Sequence, residues 1–223
     1  ARCVLIRRVG FDEGLDELKA LLLEMGDRVE RAIETAMRAL RTVDGDAARK
    51  VIAEDPELNR LEERVAELGT RLIATQQPVA RDLRRILVSF RISNDLERMG
   101  DLAVDIAKAA LRLEGRELIK PLVDLPKMAE IVQTMTRESI RSFLHENVDL
   151  AYKMARDDDT VDAIYGSVLQ ELFALRPAGE RDSSQAMLLS FVGRYLERIA
   201  DHATNIGEAV VYLVTNRRPD LNR

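Results

Sequence analysis

Twelve residues from Leu96, LERMGDLAVDIA, return one hundred positions later from Leu196 as LERIADHATNIG, identical at six places. A chain that repeats itself in this way builds two similar units, each burying an apolar face against its own parts or its twin. Within the repeated segment a carboxylate recurs at i, i+4 spacing, Glu97 with Asp101 and Glu197 with Asp201, and Asp105 and Asn205 follow one turn on. Helical geometry sets such residues on one face, so each unit carries an acidic row.

The rest of the chain reads as helices. Leu15, Leu18, Leu22, Met25, Val29, Ala32, Ala36 and Ala39 alternate in steps of three and four and place one stripe along a long first helix. A second helical segment follows the turn-forming Asp44-Gly45-Asp46. We expect a break at Asp55-Pro56, with Asp55 capping a fresh helix that runs on Leu58, Leu61, Val65, Leu68 and Leu72. Gln77-Pro78 ends that helix, and a third carries Leu83, Ile86, Phe90, Leu96, Met99, Ala103, Ile106 and Ala110. Residues 115–126, with Pro121 inside, interrupt the pattern and are expected to form a hinge. Repeat two reproduces the plan, with a helix from about Met128, a second from about Asp149 that is interrupted at Asp157-Asp158-Asp159, and a third through Leu189, Leu196, Ile199, Ile206 and Leu213. The expected fold is all-α, two tandem, similar three-helix bundles over residues 11–114 and 127–216.

Composition narrows the function. With 39 Asp+Glu against 34 Lys+Arg and a net charge of -5, a nucleic-acid partner is disfavoured. A single cysteine, Cys3, excludes an internal disulfide, and two histidines cannot complete a zinc site of thiolates and imidazoles. The opening ARCVLIRRVG is too short in apolar residues for a secretory signal, and no window is long enough to span a membrane. A cytoplasmic protein without direct membrane insertion is therefore expected.

Two readings of the acidic rows compete. At 100° per residue the stripe of Leu96, Met99, Ala103 and Ile106 centres opposite Glu97, Asp101 and Asp105, so the carboxylates are expected to face outwards. As a solvated face they would pair with Arg98 and Lys108 at i, i+3 spacing. Like charges at i, i+4 nevertheless cost a helix about 0.2 to 0.5 kcal/mol per pair, and a bound cation reverses that sign. Oxygen ligands select hard or borderline ions, Mg, Mn, Ca or Fe, and one helix supplies too few of them. Further ligands are sought in the second helices, at Asp55 and Asn59 and at Asp158 and Asp162. His202 is expected at the flank of the row as a surface side chain, a lesser candidate for metal, and His145 near a helix end.

Catalysis has no visible site. A ferritin-type di-iron centre needs Glu-x-x-His motifs, yet Ser142 precedes His145 by three and Ile199 precedes His202 by three. No Gly-rich phosphate loop or nucleophile elbow is present. Cys3 is a lone thiol without a positioned base, and the seven Met residues sit at core spacing.

FDEGLDEL from Phe11, QQPVARDLR from Gln76, and the paired SNDLERMGD and YLERIADHATNI segments together resemble the PhoU family of phosphate-transport accessory regulators. The likeness runs from Phe11 to about Asn216 and is most specific at the Gln-Pro turn. It implies two three-helix bundles in the cytoplasm, without catalytic activity, that repress the phosphate-starvation response when phosphate is plentiful. It implies as partners the ATPase subunit of the phosphate transporter and a sensor histidine kinase, and a homodimeric state. In some members the E-x-x-x-D segments bind multinuclear metal clusters; the matching residues here are Glu97 with Asp101 and Glu197 with Asp201. Leu102 stands where the second repeat has His202, and Asn205 replaces the charge of Asp105, so the two sites need not match. A carboxylate-bridged metalloenzyme and a purely structural scaffold are the alternatives from other classes.

Overall fold

Among the described residues the apolar stripes fold as six long helices. A computed structural model describes residues 9–175 and 179–221; the leading segment with Cys3 lies outside them. The helices are α1 (Val9–Thr42), α2 (Gly45–Gln76), α3 (Arg81–Leu113), α4 (Asp124–His145), α5 (Val148–Ala174) and α6 (Glu180–Thr215). No strand occurs among the described residues. Along α1 the side chains of Leu18, Leu22, Met25, Val29, Ala36 and Ala39 are buried, and α6 buries Leu189, Val192, Leu196, Ile199, Ala203 and Ile206. This burial, more than helix propensity, holds such helices together.

The repeat extends to the helix ends. Asp44 caps α2 by accepting hydrogen bonds from the backbone N–H of Asp46 and Ala47, at 3.0 Å each. Asn147 does the same for α5, accepting from Asp149 at 3.0 Å and Leu150 at 3.3 Å. Each satisfies donors that the first helical turn would otherwise leave without partners.

Both expected breaks in the second helices are absent. α2 runs through Pro56 and α5 runs through Asp157, Asp158 and Asp159. Proline inside a helix forfeits a hydrogen bond and crowds the preceding turn, at a cost of about 3 kcal/mol. In α2 the stripe of Ala48 and Val51 before the proline continues in register through Leu58, Leu61, Val65, Leu68 and Leu72, all buried. Keeping both halves on one core outweighs the local penalty, since one buried Leu is worth about 1.5 to 3 kcal/mol.

Within each repeat the three helices pack mutually. The repeats then meet along two seams, α3 against α6 and α1 against α4. Both seams are antiparallel. On the first, Arg91 pairs with Glu208 at 3.0 Å and Asp95 with His202 at 2.9 Å. On the second, Glu30 pairs with Arg137, and Gly26 admits Ile140 so closely that an added Cβ would lie 2.7 Å from its Cγ1. Glu146, just past α4, takes both Arg81 and Arg85 of α3, the latter at 2.9 Å. Burial alone would raise the Glu146 carboxyl, but the hydrogen bonds and charges of Arg85 and Arg81 win and hold it low. The segment between α3 and α4 is fastened to buried Gln185, whose Nε2 donates to Glu117 O at 3.1 Å and whose Oε1 accepts from the Ile119 N–H.

Candidate functional site

Helix continuity decides where the acids go. In α2 the stripe steps from Val51 through Asp55 to Leu58, and in α5 from Met154 through Asp158 to Val161. Asp55 and Asp158 thus occupy positions where the period calls for a core residue. They are carried against the acidic rows of α3 and α6.

In the first repeat, Asp55 and Glu62 of α2 come beside Glu97 and Asp101 of α3. The Glu97 side chain is only 16% exposed, contrary to the outward placement expected from its helix alone, because it lies in the groove with α2. Burial raises its pKa, with repulsion from Asp101, Glu62 and Asp55 adding and Arg98 opposing. The Asp55 carboxyl is also raised, by burial and then by Asp101, with Lys108 opposing. Arg98 lies 3.5 Å from Glu97 and 3.3 Å from Asp101, and Lys108 lies 3.0 Å from Asp105. Arg98 with Asp101 and Lys108 with Asp105 are the i, i+3 pairs of a solvated face, and these contacts partly neutralise the row.

The second repeat is more deeply enclosed. Asp158 is 7% exposed and its pKa is pushed up to about 7, by burial and then by the charges of Asp201, Asp162, Glu197 and Asp159. Glu197, 13% exposed, is raised by burial, Asp201 and Asp162, against the opposing charge and hydrogen bond of Arg194. Asp201 is raised by burial and Asp162, against Arg194, His202 and Arg198. Asp158 Oδ1 and Glu197 Oε2 are buried without a hydrogen-bond partner. Such an orphaned oxygen costs about 1 to 3 kcal/mol, more when charged, unless something meets it.

The structure therefore brings together Asp55, Glu97 and Asp101 in one repeat and Asp158, Asp162, Glu197 and Asp201 in the other. Asn59 is exposed on α2, while Asp105 is tied to Lys108, and Asn205 is half-buried one turn beyond Asp201. His202 is not a surface side chain. Its ring leans across the seam and Nδ1 meets Asp95 Oδ1 at 2.9 Å, with Asp95 itself buried. His145 closes α4 as its last residue. Glu62 escaped the sequence reading, because its counterpart three residues after Asp162 is Tyr165 and the repeat gives it no echo. Its position one turn from Leu58, facing Glu97, is the signal that α2 carries.

Among the described residues no three His, Cys, Asp or Glu side chains converge closely enough to hold a metal ion as they stand. The donor set of the second repeat still fits one: four carboxylates from two helices, two of their oxygens buried and unmet. A hard cation takes oxygen ligands of this kind, and its charge would reverse the mutual repulsion. A proton relieves both the burial of charge and the same repulsion, which together raise Asp158 so far.

The PhoU domain family matches the chain twice, over residues 22–110 and 125–210. A phosphate-specific transport system accessory protein PhoU homolog from Clostridium acetobutylicum is 38% identical over 213 residues, 95% of this chain and 97% of its own length. The homolog of the same name from Aquifex aeolicus is 41% identical over 199 residues, 89% of this chain and 90% of its own. Among solved structures, PhoU from Pseudomonas aeruginosa superposes with a TM-score of 0.87 at 36% identity, covering 93% of this chain and 100% of that one. The phosphate transport system regulatory protein PhoU from Streptococcus pneumoniae gives 0.85 at 29% identity, with 94% and 99% covered.

Proposed function

The chain belongs to the PhoU family, and on that footing we propose that it is a cytoplasmic accessory regulator of phosphate-specific transport. It represses the phosphate-starvation response when phosphate is plentiful, by binding the transporter's ATPase subunit, the cognate sensor histidine kinase, or both, and it works as a homodimer. The observation that carries this reading is the double family match over residues 22–110 and 125–210, joined by relatives named for that transport system. No helix among the described residues is long and apolar enough to cross a membrane, in keeping with a regulator that reaches the transporter by contact.

Metal is the second part of the proposal. Asp158, Asp162, Glu197 and Asp201 would hold a hard or borderline cation, Fe, Mn, Mg or Ca, and Asp55, Glu97 and Asp101 with Glu62 would hold its counterpart. The orphaned oxygens of Asp158 and Glu197 support the second-repeat site most directly. When bound, the cation supplies positive charge to a face that otherwise repels itself. A regulator without catalysis passes information by binding partners differently in two states, and a loaded or empty acidic face offers such a pair of states.

Deleting the gene is expected to switch on phosphate-starvation genes in phosphate-rich medium. Purified ATPase subunit or sensor kinase is expected to co-elute with the protein. An unchanged reporter together with no complex to either partner would remove the regulatory reading and leave a helical scaffold. Turnover of a substrate that tracked metal content would favour a carboxylate-bridged metalloenzyme instead.

A further inference from the structure

The antiparallel α3–α6 seam has two ends that the repeat makes equivalent, and they are finished differently. At one end Arg91 and Asp95 of α3 face Glu208 and His202 of α6, and the Arg91–Glu208 ion pair with the Asp95–His202 hydrogen bond closes the surface. The chain then covers this end itself. Leu221 donates its backbone N–H to Glu208 Oε1 at 3.0 Å, Leu221 packs on the core, and Arg218 lies 5.1 Å over the Tyr212 ring.

At the other end each of these residues is exchanged for its repeat counterpart: Phe191 for Arg91, Tyr195 for Asp95, Lys108 for Glu208, Arg112 for Tyr212. Polar pairs give way to an aromatic pair, Phe191 and Tyr195, stacked at 6.4 Å. Phe191 is 46% exposed, and Met187, one turn before it, is 56% exposed. A cleft of about 60 Å³ opens there, and among the described residues only α3 and α6 line it. Arg112, at its rim, makes no ion pair among the described residues.

We propose that this open end is a docking cleft for a segment of a partner protein in which an apolar side chain stands next to a carboxylate. The covered end supplies the precedent, since a short extended segment with one leucine already seats on the equivalent surface. Charge complementarity sets the difference. Glu208 receives an N–H donor, whereas at this end Lys108 is already met by Asp105 and Arg112 is the cation left to call for a carboxylate, with Phe191 and Tyr195 offering an apolar seat. The cleft is small for the other usual occupant, because small-molecule sites run to roughly 300 Å³ or more. Segment 217–221 of a second copy fits less well: Asp220 beside Leu221 has the sought pattern, but Arg217 and Arg218 come with it and would meet Arg112 with like charge. The regulatory reading requires a partner, and this inference rests on it only for that, giving the contact a place.

A displayed library of random peptides, selected on the intact protein, tests the cleft without any knowledge of the partner. Selected peptides are expected to pair Leu, Ile or an aromatic residue with Asp or Glu. Their affinity is expected to fall about tenfold or more with Phe191→Ser or Arg112→Glu. Leu23→Ser, an exposed apolar site on α1, serves as the control and should leave affinity unchanged. Peptides without the acidic-apolar pattern, or binding indifferent to both variants, would overturn the proposal. Self-association in sedimentation that Phe191→Ser abolished would also overturn it, assigning the face to a second copy. A failed selection beside a derepressed deletion strain removes the cleft and keeps the regulator; the reverse result removes the regulator alone.

Discussion

Asp95 and His202 are joined across the α3–α6 seam by Oδ1 and Nδ1 at 2.9 Å, although their repeat counterparts, Tyr195 and Leu102, could form no such bond. The seam is thus symmetric in its helices and asymmetric in its polar contacts. Because Asp95 is buried, truncating it leaves the imidazole unmet, and Asp95→Ala is expected to cost about 1 to 3 kcal/mol in denaturant unfolding. His202→Leu should cost a similar amount. The double substitution Asp95→Ala with His202→Leu removes both partners and should cost less than the sum of the two single changes. Strict additivity would mean that the two side chains do not act as a pair.

Asp158 ties stability to pH. Its pKa of about 7 in the fold stands against 3.8 for the free side chain, so the folded state holds this proton more tightly than the unfolded chain. The stabilisation is fully present below about pH 4, declines as pH rises, and is lost above about pH 7. Asp158→Asn mimics the protonated form at every pH. In chelator-treated protein it should match the parent near about pH 4 and exceed it in unfolding midpoint near about pH 8. Equal midpoints at the higher pH would show that the carboxylate is met by other charges.

Pro56 offers a test of why α2 stays whole. The corresponding residue of α5 is Asp159, so the fold does not require proline there. Pro56→Ala restores a backbone donor and removes the clash, and is expected to raise stability by roughly 1 to 3 kcal/mol. Calorimetry showing a loss would mean that the proline shapes the helix to bring Asp55 against Asp101.

The same two helices show how far the sequence could be read. Six stripes of apolar residues made the bundles legible, because a 3.6-residue period over thirty positions has few other meanings. The rows of Glu97 with Asp101 and Glu197 with Asp201 were legible because they repeat. Their depth was not. Reading Asp55-Pro56 and Asp157-Asp158-Asp159 as breaks hid the fact that Asp55 and Asp158 sit on the stripe, where an acid is costly and therefore informative. Local propensity misled at the two places where burial overrode it. Sequence alone puts His202 at the surface, because its partner Asp95 lies 107 residues away, on a helix that only the packing of the two bundles brings near.

The final prediction separates a metal centre from a solvated face. Asp158→Asn and Glu197→Gln keep the shape of each side chain while removing its charge, and both residues carry the orphaned oxygens. If the second-repeat carboxylates hold a cation, either substitution should lower the metal content of untagged protein while leaving helicity intact. Saturating Mn or Mg should then stabilise the parent, by about 2.7 kcal/mol at a hundred times Kd, and the variants much less. Glu97→Gln should spare this second-repeat effect, because it removes charge only from the first row. Should the variants gain stability with metal content unchanged, relief of like-charge repulsion would explain the gain, and the rows would stand as faces solvated and neutralised by their own arginines.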